Sequence, residues 1–123
     1  MINFLYLFHF LECGHFCVKY IMKKDEKKLN LNYEKRLMSL ALVKRVLSEY
    51  YDCVKCLKMT NINDIKKRCI TLVRTKKNSL HYVVVERVSK NRVYYYDPMF
   101  CFLRRAKINR FNKKWCKCCC FFG

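Results

Sequence analysis

Glycine and proline are nearly missing from this chain: 2 Gly and 1 Pro in 123 residues. That scarcity excludes long flexible linkers and low-complexity segments, and no internal repeat is visible. Acidic residues are few, 9 against 27 Lys and Arg, which gives a formal net charge of +18. No run approaches the ~20 apolar residues that span a bilayer. The apolar start, Met1 to Leu11, lacks the basic region and small-residue cleavage site of a secretion signal. Residues 2–11 read instead as a buried strand or extended segment.

What is present argues for one domain, residues 1–123. Apolar residues with Cys make up 53% of the chain, enough at this length to bury a core. The cations are scattered along the sequence. The wealth of Lys, Asn, Ile, Phe and Tyr matches the residue bias of an A/T-rich genome. The charge therefore reads as solvated surface, and no nucleic-acid partner is expected. Ten Cys would suit a disulfide scaffold in a secreted chain. Without a secretion signal, reduced thiols are expected.

Patterning predicts helices first and a sheet afterwards, an α+β arrangement. Gly14 to Lys24 reads as a helix with Phe16, Cys17, Tyr20 and Ile21 on one face. Ser39 to Tyr50 reads as a second, with Leu40, Val43, Leu47 and Tyr50 in a stripe and Ser39 as N-cap. Strand-like runs follow near Cys53–Met59 and Cys69–Val73. Asn63–Lys67 forms a helical turn between them, capped by Asn61 or Asn63. Leu80–Val88 and Arg92–Tyr96, rich in Val and Tyr, read as strands joined at Ser89-Lys90-Asn91. Asp97-Pro98 ends the second, since Pro cannot donate to a ladder. Phe100–Ile108 reads as another strand, Asn109–Trp115 as a closing helix, and 115–123 as an irregular Cys-rich tail.

Cys13 stands where the first helix begins. The unpaired N–H groups and dipole of a helix start favour a thiolate, and Gly14 behind it leaves room for a substrate carbonyl. Cys17, one turn on, points toward packing. A thiolate peptidase also needs a His as acid–base and a third group to orient it. His9 and His15 flank Cys13, and His81 opens the Val-rich strand. A three-residue loop at Ser89–Asn91 would place Asp97 diagonally from His81 on one face. A two-residue turn at Lys90-Asn91 would put them on opposite faces unless a bulge intervened. The hairpin permits the pair without requiring it.

Three segments together carry a family resemblance. Glu12-Cys13-Gly14-His15-Phe16-Cys17 resembles the nucleophile motif, an acidic residue then Cys-Gly-x-x-Cys, of the bacteriocin-processing, or double-glycine leader, cysteine peptidases. These are papain-like domains found at the N-terminus of peptidase-containing ABC transporters. Leu80-His81-Tyr82-Val83-Val84-Val85 is similar to that family's His motif. Val93-Tyr94-Tyr95-Tyr96-Asp97-Pro98 is similar to its Asp-Pro motif. The order Cys, His, Asp and the sixteen-residue step from His81 to Asp97 also fit, and the likeness runs from about Ile2 to Trp115.

The resemblance implies a papain-like fold with N-terminal helices on a C-terminal antiparallel sheet. It implies Cys13, His81 and Asp97 as catalytic residues, with no cofactor or metal. The implied substrate is a precursor peptide whose leader ends in Gly-Gly and docks as a helix on an apolar patch edged by basic residues. The implied partner is an ABC-transporter membrane domain, in cis or in trans, and the implied location is cytoplasmic, at the cytoplasmic face of the membrane.

Two positions depart from the family. Leu7 stands where a Gln donates to the oxyanion; His9 is a substitute donor only if the segment is shifted by a bulge. Arg68-Cys69 stands where a Pro usually precedes the strand. Leu7 sets up an alternative, a weak or inactive peptidase-like domain that binds leaders or docks to an exporter. A further alternative is a zinc-binding nucleic-acid module using Cys53 and Cys56 with the tail thiols Cys116, Cys118, Cys119 and Cys120. Their spacing argues against it.

Overall fold

A computed structural model describes residues 12–30, 32–77, 79–100 and 102–123. The expected segment 2–11, with Leu7 and His9, lies outside them.

Helix α1 spans Cys13–Lys24 and α2 spans Leu40–Ser48. Burial on α1 centres on Cys17, Val18, Ile21 and Met22. The expected apolar face is thus rotated, leaving Phe16 and Tyr20 half-buried at its margin. Tyr20 instead stacks on Tyr96, with ring centroids 4.0 Å apart. Lys23 and Lys24 close α1 where cations suit the helix dipole. Ser39 caps α2 as expected, its hydroxyl accepting from the Leu42 N–H at 3.1 Å. Val43, Val46 and Leu47 form the buried stripe.

Strands β1 (Val54–Lys58), β2 (Cys69–Arg74), β3 (Leu80–Val88), β4 (Arg92–Asp97) and β5 (Phe102–Lys107) follow. A short 3-10 turn at Ile62–Asp64 is capped by the Asn61 side chain. Helix α3 (Ile108–Lys114) then leads into β6 (Trp115–Phe122). The six strands form one antiparallel sheet in the order β1-β6-β2-β3-β4-β5.

The segment expected as an irregular tail is β6, an inner strand. Cys56 faces Cys120 across β1–β6, and Thr71 faces Cys119 across β2–β6. The reason is two-sided burial. Cys120 and Phe122 pack under α1 and α2, while Trp115, Cys119 and Phe121 pack on the other face with Phe111 of α3. A strand covered on both faces has no polar alternation, and buried Cys behaves as a small hydrophobe. The same two-sided burial explains the unbroken Val83-Val84-Val85 run: Val84 joins the α1–α2 core, Val83 and Val85 the α3 core.

Candidate active site

His81 lies near the start of β3 and Asp97 at the end of β4, both almost fully buried, 2% and 5% exposed. His81 Nε2 is 2.7 Å from Asp97 Oδ1. The turn between the strands is the tighter of the two possibilities, with the Ser89 N–H donating to the Arg92 carbonyl at 2.8 Å. A bulge then restores the shared face. Near the turn Arg87 pairs with Tyr94, but beyond it Val85 pairs with Tyr95, so Glu86 is the extra residue. Asp97 Oδ1 also accepts the Met99 N–H at 3.0 Å, and Oδ2 faces Arg104 Nη1 at 3.9 Å.

Cys13, the first residue of α1, sits against β3. The Tyr82 N–H, next after His81, donates to Cys13 Sγ at 3.4 Å. Gly14 permits that approach: a Cβ there would lie 3.2 Å from Met38 Cβ and 3.2 Å from the Tyr82 ring. Its small size therefore serves helix-to-sheet packing, a reason additional to the expected room for substrate. The Tyr82 hydroxyl donates to the Met38 carbonyl at 2.9 Å and pins the loop before α2 to the same place.

The electrostatics link the three side chains. Burial works against a charged His81, but Asp97 and the Cys13 thiol outweigh it and raise the ring's pKa to about 9. Burial also works against an ionised Asp97, yet His81, the Met99 N–H and Arg104 hold it below its ordinary value. With Nε2 engaged by Asp97, Nδ1 is the nitrogen left toward the thiol; it is buried and makes no hydrogen bond of normal geometry. An imidazole that is held at one nitrogen and free at the other can shuttle a proton to an adjacent sulfur.

The other candidates fall outside this cluster. Burial, with Cys13 and Asp97 nearby, pushes the Cys17 thiol far up, which suits an inert packing residue. His15 Nδ1 pairs with the Tyr33 hydroxyl at 2.7 Å, and burial with Lys35 and Lys19 lowers it to about 4. Arg68 binds both oxygens of Asp25 at the end of α1, at 2.9 and 2.8 Å, tying β2 to the helix. No sequence signal marks the contact of Arg104, and only the position of Tyr82 beside His81 hints at its contact. Cys56 meets Cys120 across two strands, but no group of three or more His, Cys, Asp or Glu among the described residues is placed to hold a metal ion.

The sequence model of the peptidase C39 family matches residues 8–122. The chain belongs to that family. Among solved structures, the C39 chain is similar to the peptidase domain of Streptococcus ComA, a bi-functional ABC transporter involved in a quorum-sensing pathway. The TM-score is 0.77 at 18% identity, over 92% of this chain and 91% of that one. It is also similar to the peptidase domain of Streptococcus mutans ComA, at 0.69 and 17% identity over 100% and 95%. The complex of that Streptococcus mutans domain with a small-molecule inhibitor gives 0.68 and 17%, again over 100% and 95%. These likenesses establish the papain-like fold of a C39 peptidase. No curated protein matches the chain. Among the described residues, no helix is long and apolar enough to cross a membrane.

Proposed function

We propose that this C39 chain is a cysteine endopeptidase that removes the leader of a precursor peptide after Gly-Gly, in association with an ABC exporter at the cytoplasmic face of the membrane. The observation that carries the reading is the buried His81–Asp97 pair, with the free Nδ1 of His81 left toward Cys13. Cys13 thiolate attacks the carbonyl of the second Gly. The imidazolium of His81 gives its proton to the leaving amine, and the neutral ring then activates water to release the leader. Asp97 holds the ring with Nδ1 toward the sulfur. The Cys13 N–H at the start of α1 is the remaining backbone donor for the oxyanion.

The test is incubation of the full chain with a synthetic precursor carrying a Gly-Gly leader, read by mass spectrometry. Cleavage after the second Gly that vanishes in Cys13→Ala, and falls by about 10²–10⁴ in His81→Ala, supports the reading. No cleavage, or cleavage that survives Cys13→Ala, defeats it.

A second reading rests on Leu7, which stands where the family places its oxyanion Gln. Losing one such donor lowers the rate by about 10²–10³. On this reading the domain holds leaders without cutting them efficiently. A Leu7→Gln variant that gains activity supports it, and efficient turnover by the unaltered chain removes it.

A further inference from the structure

Among the described residues β5 is an edge strand of the sheet, and the chain from Pro98 to Gly123 has no acidic residue and seven Lys and Arg. Three bulky apolar side chains stand out at this edge: Phe100, Phe102 and Leu103, 48%, 56% and 50% exposed. Cations follow them along the strand, at Arg104, Arg105 and Lys107. Register places Leu103 and Arg105 on the face of Tyr96 and Tyr94, with Lys107 beyond, and Phe102 and Arg104 on the face of Asp97 and Tyr95. The acids nearby are already engaged. Asp97 is buried against His81, and Glu86 is paired with Lys24 at 3.7 Å.

The geometry points to docking of the β5 edge on an anionic lipid bilayer. The hollow on the α1 face, lined by Tyr20, Lys23, Lys24, Tyr96, Phe102 and Leu103, would seat a helix on Phe102 and Leu103 but leave Phe100 and Arg104 unmet. A plane normal to the sheet receives all of them, with Phe and Leu among the acyl chains and Arg and Lys at the phosphates. Exposed Leu103 has no aromatic face on which a base could stack and no match in a phosphate backbone, which favours a lipid surface over nucleic acid. Repulsion between Arg104, Arg105 and Lys107 opposes pairing of this edge with a second copy. The inference is independent of catalysis.

The test is flotation of the full chain with vesicles of 30% phosphatidylglycerol in phosphatidylcholine at 0.1 M salt. Arg105→Gln with Lys107→Gln should weaken partitioning by about tenfold or more, at roughly a kcal/mol per cation near such a surface. Lys55→Gln with Lys58→Gln removes equal charge on β1, the opposite edge, and should change it less than twofold. Leu103→Trp should shift its emission to the blue on vesicle addition, because Trp115 is already buried. Equal loss in both double variants, no emission shift, or no binding at all overturns the proposal. So does edge-dependent binding of a single-stranded oligonucleotide or an acidic peptide in the absence of vesicle binding. Far-UV circular dichroism identical to the parent establishes that each variant is folded.

Discussion

His81 and Asp97 meet because the β3–β4 ladder slips by one residue at Glu86. The two-residue turn alone would send them to opposite faces of the sheet. The slip between the Arg87–Tyr94 and Val85–Tyr95 pairs returns them to one face, with Nε2 and Oδ1 2.7 Å apart. The length of β3 between turn and His is therefore part of the site. Deleting Glu86 should separate the pair and abolish any His81-dependent reactivity of Cys13, while Glu86→Gln, which keeps the count, should preserve it. Alkylation rates at Cys13 distinguish the two variants; retained reactivity after the deletion would refute the register argument.

Cys13 should alkylate before the other thiols at neutral pH under reducing conditions. Its sulfur sits at a helix start beside His81, while Cys17 is fully buried, with its thiol pushed far up. Peptide-by-peptide mass spectrometry after brief iodoacetamide treatment reads the order. His81→Ala should slow Cys13 by tenfold or more, an expectation drawn from the usual size of acid–base assistance, about 10²–10⁴, and leave exposed Cys53 unchanged. Equal rates at Cys13 in parent and variant would count against an assembled dyad.

The same pair sets a pH window for stability. His81 is raised from its ordinary 6.5 to about 9. Its contribution is therefore full below 6.5 and is lost as pH climbs through about 9. Asp97 and Asp25 are held below the ordinary 3.8. Their contributions are present above that value and are lost as pH falls through their lowered folded values. The urea midpoint should be highest from roughly pH 4 to 6.5 and decline toward pH 9. Asp97→Asn should flatten the alkaline decline. A parent midpoint unchanged between pH 6.5 and 9.5 would contradict the assignment.

Gly14→Ala should destabilise the chain by about 1–3 kcal/mol, the usual range for overpacking. The added Cβ meets Met38 Cβ and the Tyr82 ring at 3.2 Å each. The gain in helix propensity, about 1 kcal/mol, offsets only part of this. Met38→Ala keeps the opposing Cβ and should give no relief; Met38→Gly in the Gly14→Ala background should give some. Urea denaturation of the four proteins checks the order.

Local signals made much of this legible in the sequence. The α2 cap at Ser39, the β3 and β4 limits and the Cys, His, Asp order each depend on a few adjacent residues. The contacts of the site were less so. The Glu86 bulge is an event between strands, and whether a turn is followed by a slip depends on what the two faces bury. The buried face of α1 differs from its sequence pattern for a related reason. Tyr20 is apolar enough to suggest the core, but Tyr96 offers it a ring to stack on at the margin. Arg104 reaches Asp97 only because β5 folds back on β4.

The last nine residues have the composition of an irregular tail, yet they make the strongest claim on stability. β6 lies between β1 and β2 and fills both cores, with Cys119 and Cys120 fully buried. Trp115 Nε1 donates to the Thr71 hydroxyl at 2.9 Å, and that hydroxyl donates to the Cys118 carbonyl at 2.6 Å. Removing residues 115–123 would strip β1 of its ladder neighbour β6 and open both cores at once. A chain ending at Lys114 should therefore lack a cooperative urea transition. Cys120→Ser, which leaves the strand in place but buries a hydroxyl in an apolar core, should be destabilised by about 1–3 kcal/mol and remain cooperative. A truncated chain that unfolds like the parent would mean that the strand is a dispensable appendage, the role its composition first suggested.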